Sequence, residues 1–152
     1  MPDDADHPQA ALKLDEFLCF AVYSAGHAFT RVYKPLLDKL GLTYPQYLVM
    51  VVLWEEDSQT VGSLADRLFL ESSTLTPLLK RLEGMDLISR NRDRTDERVV
   101  RIALTKAGTD LREQAKAVPD CIVDASGMRA EEVKQLQKQI KSLRASLAAA
   151  VE

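Results

Sequence analysis

The sequence predicts a mainly α-helical fold with one small β-hairpin, and three observations predict it. Apolar residues recur at spacings of three and four over most of the chain, which is the helical period. Residues 60–104 read in order as helix, tight turn, helix and a two-stranded ribbon with an arginine-rich tip. The last segment alternates three and four in a narrow apolar seam that one helix cannot bury alone. Together they predict a winged helix-turn-helix with N- and C-terminal dimerisation helices. The expected organisation is a single domain, with 12–42 and 106–151 as dimerisation helices and 43–105 as the winged lobe.

Each element follows from local chemistry. Residues 1–10 carry no periodic pattern and are expected to lack structure. From about Leu12, the residues Leu14, Leu18, Val22, Ala25, Phe29, Val32, Leu36 and Leu40 form a helical stripe. Pro35 is expected to kink this helix or end it near Tyr33, with a short second piece closing at Gly41. Thr43 and Gln46 have the spacing of a capping box, and Pro45 in the first turn costs no hydrogen bond. YLVMVVLWE then reads as a buried helix to about Glu56. Its valines also suit a strand, but the cap favours helix. Thr60 caps a third helix, VGSLADRLFL. A fourth starts near Ser72 or Ser73 and runs TLTPLLKRLEGMDL, with Leu75, Leu78, Leu79 and Leu82 inward and a bend or late start at Pro77. Ile88–Arg92 and Val99–Leu104 read as strands joined by an arginine-rich loop. Thr105 caps a fifth helix that ends before Pro119. Val133, Leu136, Ile140, Leu143 and Leu147 stripe the final helix, whose natural cover is the first helix across a dimer.

Composition sets limits. At 46% hydrophobic and 28% charged residues over 152 positions, the chain suits one soluble domain with a real core. No apolar run approaches the length of a membrane span, so no membrane partner is expected. The start, MPDDADHPQ, lacks the basic and apolar stretches of a secretory signal, which makes the cytoplasm the expected location. Cys19 and Cys121 lie far apart, and His7 and His27 do not complete a ligand set, so no metal and no cofactor is expected. In a reducing cytoplasm a disulfide between the two thiols would be regulatory rather than structural.

The net charge of −3 does not announce a nucleic-acid partner, but its distribution does. Between Ile88 and Ile102, five arginines (Arg90, Arg92, Arg94, Arg98, Arg101) stand against three acids. A reading helix needs short polar side chains near its N-terminus, and Ser72, Ser73, Thr74 and Thr76 supply them. Lys80 lies one to two turns on and can reach the DNA backbone. Arg81 reads either as a contact or as internal packing. Arg94 at the ribbon tip suits the negative potential of a minor groove. Arg90 and Arg92 alternate on one strand within reach of phosphates. Asp96 and Arg98 are expected to pair and shape the tip.

The stretch LADRLFLESSTLTPLLKRLEGMDLISRNRDRTDERVVRIALTKAG resembles the MarR family of bacterial regulators, and DRTDERVVRIALT looks like that family's wing pattern. The resemblance spans nearly the whole chain. It implies a homodimer on pseudo-palindromic double-stranded DNA, with the fourth helix in the major groove and the wings in minor grooves. Within the family, LDEFLCFAVYSA and LTYPQYLVMVVLWE look like the organic-hydroperoxide-resistance regulators. In those, an N-terminal cysteine is oxidised by an organic hydroperoxide. Cys19 matches it, and Tyr23, Tyr33 and Tyr44 match the accompanying tyrosines. Ser73 stands where that branch usually has glycine. The resemblance also implies a resolving thiol in the C-terminal half, for which Cys121 is the candidate. A low-molecular-weight thiol is the alternative.

The chemistry has its own logic. A thiolate attacks peroxide, a helix N-terminus favours the anion, and phenols can donate to the sulfur. Phe17, Leu18, Phe20 and Val22 surround Cys19 with apolar side chains, which suits a lipid-like or aromatic peroxide. Tyr23 is one helical turn from Cys19. Tyr33 lies fourteen residues on, about 21 Å along a straight helix, so it reaches a sulfur only in a partner subunit. Tyr44 is expected to do the same. The expected function is a peroxide-responsive transcriptional repressor, not an enzyme. The alternatives are a regulator that binds a small aromatic ligand, a thiol peroxidase, and a helical interaction module that binds no DNA.

Overall fold

The computed structural model describes residues 12–152; the N-terminal stretch expected to lack structure, with His7, lies outside the described residues. A short 3-10 turn, Leu14–Glu16, precedes α1, Leu18–Asp38. The expected helix start near Leu12 is therefore late by a turn and a half. Apolar spacing reports which side chains share a face, but Phe17 adopts extended backbone between the two elements and offers no side-chain cap. A helix begun near Leu12 would put Cys19 in its second or third turn, but the later start puts it in the first turn of α1.

Pro35 neither ends α1 nor divides it. The helix runs through it to Asp38, leaving only the Arg31 carbonyl without its usual donor. The actual stop is a Schellman turn at Gly41. Leu42 N–H returns to the Leu37 carbonyl and Gly41 N–H to that of Asp38, both at 3.1 Å, while Gly41 takes φ 72°. Leu37 and Leu42 bury together beneath it.

Next comes α2, Tyr44–Glu55, and its cap is the expected one. Thr43 N–H donates to Gln46 Oε1 at 3.0 Å, and Gln46 N–H returns to Thr43 Oγ1 at 3.4 Å. It is the central helix of the core, with Val49, Met50 and Leu53 fully enclosed. The chain then forms β1, Gln59–Thr60, which the sequence did not reveal. β1 pairs antiparallel with β3, Val100–Leu104, and β3 with β2, Ile88–Arg92, so the expected two-stranded ribbon is a three-stranded sheet ordered β1-β3-β2. Two residues are too few to show a period. Their pairing is set by partners distant in sequence, since Leu104 N–H reaches Asp57 Oδ1 at 2.8 Å.

Between β1 and β2 lie α3, Val61–Leu68, and α4, Ser72–Gly84. Both stop earlier than expected, and by the same device as α1. Phe69 (φ 55°) and Asp86 (φ 60°) occupy the left-handed position, with Leu70 N–H returning to Ala65 and Leu87 N–H to Leu82. Neither is glycine, so the stop carries no composition signal. Pro77 lies inside α4.

After β3, Thr105 caps α5, Lys106–Ala115, through Gly108 N–H at 3.0 Å. A separate α6, Val118–Ala125, follows where a connection was expected, because Pro119 starts a helix rather than stopping one. Last is α7, Ala130–Ala149. The buried core extends from Leu37 to Val118 and is drawn from α2–α5, the sheet and the ends of α1 and α6. Neither the N-terminal part of α1 nor any of α7 contributes to it. Leu18, Phe29, Leu136, Ile140 and Leu147 lie exposed on those helices. Among the described residues, no helix is long and apolar enough to cross a membrane.

Candidate functional site

Two groups of predicted residues take shape, one on α4 and the hairpin and one on α1 and α2. The first is centred on α4. Leu75, Leu79 and Leu82 bury one side of it, which turns Ser72, Ser73, Thr74 and Lys80 outward. Thr76 is half-buried, and its hydroxyl donates to the Ser72 carbonyl at 2.8 Å, leaving its lone pairs free to accept. Pro77 has no N–H to give the Ser73 carbonyl, so this exposed turn keeps an additional free acceptor. Arg81 is exposed, which removes the internal-packing reading for it.

Beside α4 stands the β2–β3 hairpin. Arg92 and Arg94 are exposed at its tip. Arg98 pairs with Asp96 as expected, its Nε and Nη2 donating at 3.1 and 3.4 Å. Arg90 differs from expectation. It is half-buried and turns back towards Glu83 of α4 at 4.0 Å. There it lines a cleft of about 450 Å³ between the N-terminus of α3, α4 and the hairpin, with Thr60, Gly62, Ser72, Thr76 and Arg98. The cleft joins hydroxyls and guanidinium groups across two elements, an arrangement suited to a phosphate ridge. Sequence reasoning missed Asp93 and Arg101, which form an ion pair at 2.9 Å at the base of the hairpin loop. The signal was present in their opposite charges, but the register that brings them together was not.

The second group surrounds the tyrosines. Cys19 is exposed in the first turn of α1, where backbone N–H groups have no helical acceptor. One turn on, Tyr23 is exposed and packs edge-on to His27, with ring centroids 4.5 Å apart. Tyr33 stacks on Tyr44 at 4.6 Å and lies 5.8 Å from Tyr47, which in turn meets Trp54 at 6.4 Å. The structure thus gathers Tyr33 and Tyr44, at the far end of the helix that carries Cys19. Tyr47 is the missed member; Tyr44 and Tyr47 lie three apart on a helix, but the apolar run around them reads only as core.

Burial pushes the Tyr33 phenol up to about 12, helped by the neighbouring Tyr44 and Tyr47. Burial also raises Tyr44 and Tyr47. At neutral pH all three are therefore donors. The Tyr33 and Tyr44 hydroxyls make no hydrogen bond among the described residues, and neither is enclosed, so both stay open to solvent. A cleft of about 490 Å³, lined by His27, Thr30, Lys34, Leu42 and Pro45, opens against Tyr44. Cys121 lies exposed on α6. Its neighbour Ile122 faces α1 across an apolar groove with Phe29, Val32 and Leu136.

Comparison with known proteins agrees with this architecture. The family model described as transcriptional regulator SarA/Rot matches residues 31–114. The organic hydroperoxide resistance transcriptional regulator of Bacillus subtilis (strain 168) is 44% identical over 143 residues, covering 94% of this chain and 95% of the relative. The HTH-type transcriptional regulator TtmR of Methylorubrum extorquens (strain PA1) is 49% identical over 142 residues, covering 93% and 71%. Among solved structures, reduced AbfR bound to DNA, a protein of Staphylococcus epidermidis, superposes with a TM-score of 0.76 at 37% identity, covering 89% of this chain and 92% of that one. Disulfide-formed AbfR gives 0.59 at the same identity, covering 89% and 90%. With 44% and 49% identity to two transcriptional regulators over more than 90% of its own length, and the same winged helix-turn-helix, the chain belongs to the MarR family of transcriptional regulators, in the branch that holds the organic hydroperoxide resistance regulators.

Proposed function

We propose that this DNA-binding regulator is a repressor that senses organic hydroperoxides through oxidation of Cys19 and then releases its operator. The observation that carries the reading is the unbroken α1. Its continuity puts Tyr33 about 21 Å from Cys19 along one chain, while gathering Tyr33 and Tyr44 with hydroxyls unpartnered among the described residues. The exposed apolar faces of α1 and α7 require a cover, and a second copy provides one of matching chemistry. In that homodimer the partner's Tyr33 and the partner's Tyr44 donate to the Cys19 sulfur, and Tyr23 of the same chain flanks it. The organic part of the peroxide lies in the apolar surround of Phe17, Phe20 and Val22.

The Cys19 thiolate attacks the terminal peroxide oxygen, the O–O bond breaks, and that oxygen stays on sulfur with its hydrogen as the sulfenic acid, while the departing alkoxide takes a proton from solvent to leave as the alcohol. A second thiol can then displace water to form a disulfide. Cys121 is the candidate within the dimer, and a low-molecular-weight thiol is the alternative. Either product loses the phenol contacts to the thiolate, and the interface helices reset the spacing of the two reading heads. Affinity falls 100-fold for a differential of about 2.7 kcal/mol between the two states. The likeness of this structure to reduced, DNA-bound AbfR over its disulfide form supports the view that the fold described above is the DNA-competent one.

In the DNA-bound form, Ser72, Ser73, Thr74 and Thr76 meet the major groove and Lys80 its backbone. Arg94 enters the minor groove, with Arg92, Arg98 and Arg90 at flanking phosphates. The test is a gel shift on promoter DNA with reduced and cumene-hydroperoxide-treated protein. Wild type should release DNA on treatment, and Cys19→Ser should stay bound. If Cys19→Ser also lets go, oxidation at Cys19 is not the signal. The cleft at Tyr44 supports one second reading, a small aromatic effector bound there. In that case a non-oxidising aromatic acid releases the Cys19→Ser protein.

A further inference from the structure

One ion pair in the wing has no part in the contacts proposed above. Arg101 Nε on β3 donates to Asp93 Oδ2 at 2.9 Å, and its Nη1 donates to the Ser58 carbonyl at 3.2 Å. Asp93 uses its other oxygen to accept the Thr95 N–H and hydroxyl, each at 2.9 Å. Its own N–H closes the loop onto the Val99 carbonyl at 2.8 Å. The Asp93 side chain is only 13% exposed, although it sits in a loop at the edge of the molecule. Ser58, at φ 57°, belongs to the turn between α2 and β1, and the adjacent Asp57 holds Leu104 of β3. Two residues of β3 are thus tied to that turn, and one of them also holds the wing loop. The Thr95 N–H, then its hydroxyl and Arg101, keep the Asp93 carboxyl below the usual carboxylate range, so the pair is charged at neutral pH.

We propose that Asp93 and Arg101 are positioning residues for DNA binding: a clamp from the body of the fold to the wing loop that aims Arg94, the next residue, without touching DNA. The inference rests on the reading of Arg94 as a minor-groove contact. Its sign sets it apart from simple electrostatics. A carboxylate near a polyanion repels it, so removing that charge should strengthen binding unless the carboxylate is holding something in place.

The test compares Asp93→Asn and Arg101→Gln, alone and with Arg94→Ala, on a duplex that the wild-type protein selects from a randomised pool. The same duplex is also used trimmed of the base pairs outside the two major-groove half-sites. Each clamp variant should lose about tenfold on the full duplex, roughly the worth of one charge-assisted hydrogen bond. Neither should lose affinity on the trimmed duplex, where a folding defect would still show. In the Arg94→Ala background the loss should vanish, because the clamp acts through that side chain. Unchanged or tighter binding by Asp93→Asn overturns the clamp, as does a loss that persists beside Arg94→Ala or on the trimmed duplex. If Arg94→Ala weakens binding while both clamp variants bind as wild type, the clamp fails and the minor-groove reading stands. If Arg94→Ala alone binds as wild type, the minor-groove reading fails.

Discussion

Gly108 illustrates how much one residue can carry. It stands in the first turn of α5, where its N–H completes the Thr105 cap and its carbonyl accepts the Trp54 indole N–H at 2.9 Å. A Cβ here would run into the backbone carbonyl of Leu87, well inside van der Waals contact. That carbonyl also accepts the Thr105 N–H, so it cannot move aside without unpairing the end of the sheet. Gly108→Ala should therefore cost about 2–3 kcal/mol, the range for overpacking against backbone. Urea unfolding followed by the fluorescence of Trp54, the only tryptophan, reads both the loss and the disturbed indole. A loss under about 0.5 kcal/mol, the level of an ordinary surface change, would refute the close approach.

At the scale of elements, the joint between α1 and α2 is held by phenols. Tyr33 comes from one helix, Tyr44 and Tyr47 from the other. Their raised pKa values favour the neutral form in the folded protein. That contribution is complete below the ordinary phenol value of about 10. It is lost as pH rises from there through the folded value of about 12 for Tyr33. Denaturation midpoints from pH 9 to 12 should show the wild type losing its advantage over Tyr33→Phe across that window. Parallel curves for the two proteins would mean that the phenol is not held neutral by the fold. Helix ends belong to this scale too. Of the left-handed stops at Gly41, Phe69 and Asp86, only Gly41 was readable, because glycine adopts that backbone freely while Phe69 and Asp86 do so under tertiary constraint. Of the sheet, β1 was unreadable for a similar reason: its partners lie some forty residues away.

At the scale of the whole molecule, the winged lobe has its own core, to which the N-terminal part of α1 and all of α7 add no buried residue. No residue of α7 is buried, yet Leu136, Ile140, Leu143 and Leu147 keep a stripe along it. Arg144 from that helix lies over the Phe69 ring, 3.9 Å from its centroid, and so links α7 to the turn between α3 and α4. If a second copy covers the stripe, Ile140→Glu should give a folded monomer by sedimentation, because a lone glutamate cannot be buried there. Its operator affinity should drop by about 100-fold or more, since the two half-sites are then bound one at a time. A dimer that survives the substitution would put the interface elsewhere.

By itself, the sequence determined the helical class, the capped starts at Thr43, Thr60 and Thr105, the polar N-terminus of the reading helix and the arginine-bearing wing. These are local matters, set by side chains within four residues of one another or by strict periods. It also carried the inference that Tyr33 cannot serve the cysteine of its own chain, since helix rise alone decides that. Tertiary structure decided the rest. Pro35 lies within one continuous helix and Pro119 begins another. Arg90 turns inward while Arg92 and Arg94 stay out. Arg101 meets Asp93 and Ser58, and Tyr47 joins the tyrosines at the α1–α2 joint. Each of these depends on which distant surface arrives opposite a side chain, and that is a property of packing, not of any stretch of residues read in order.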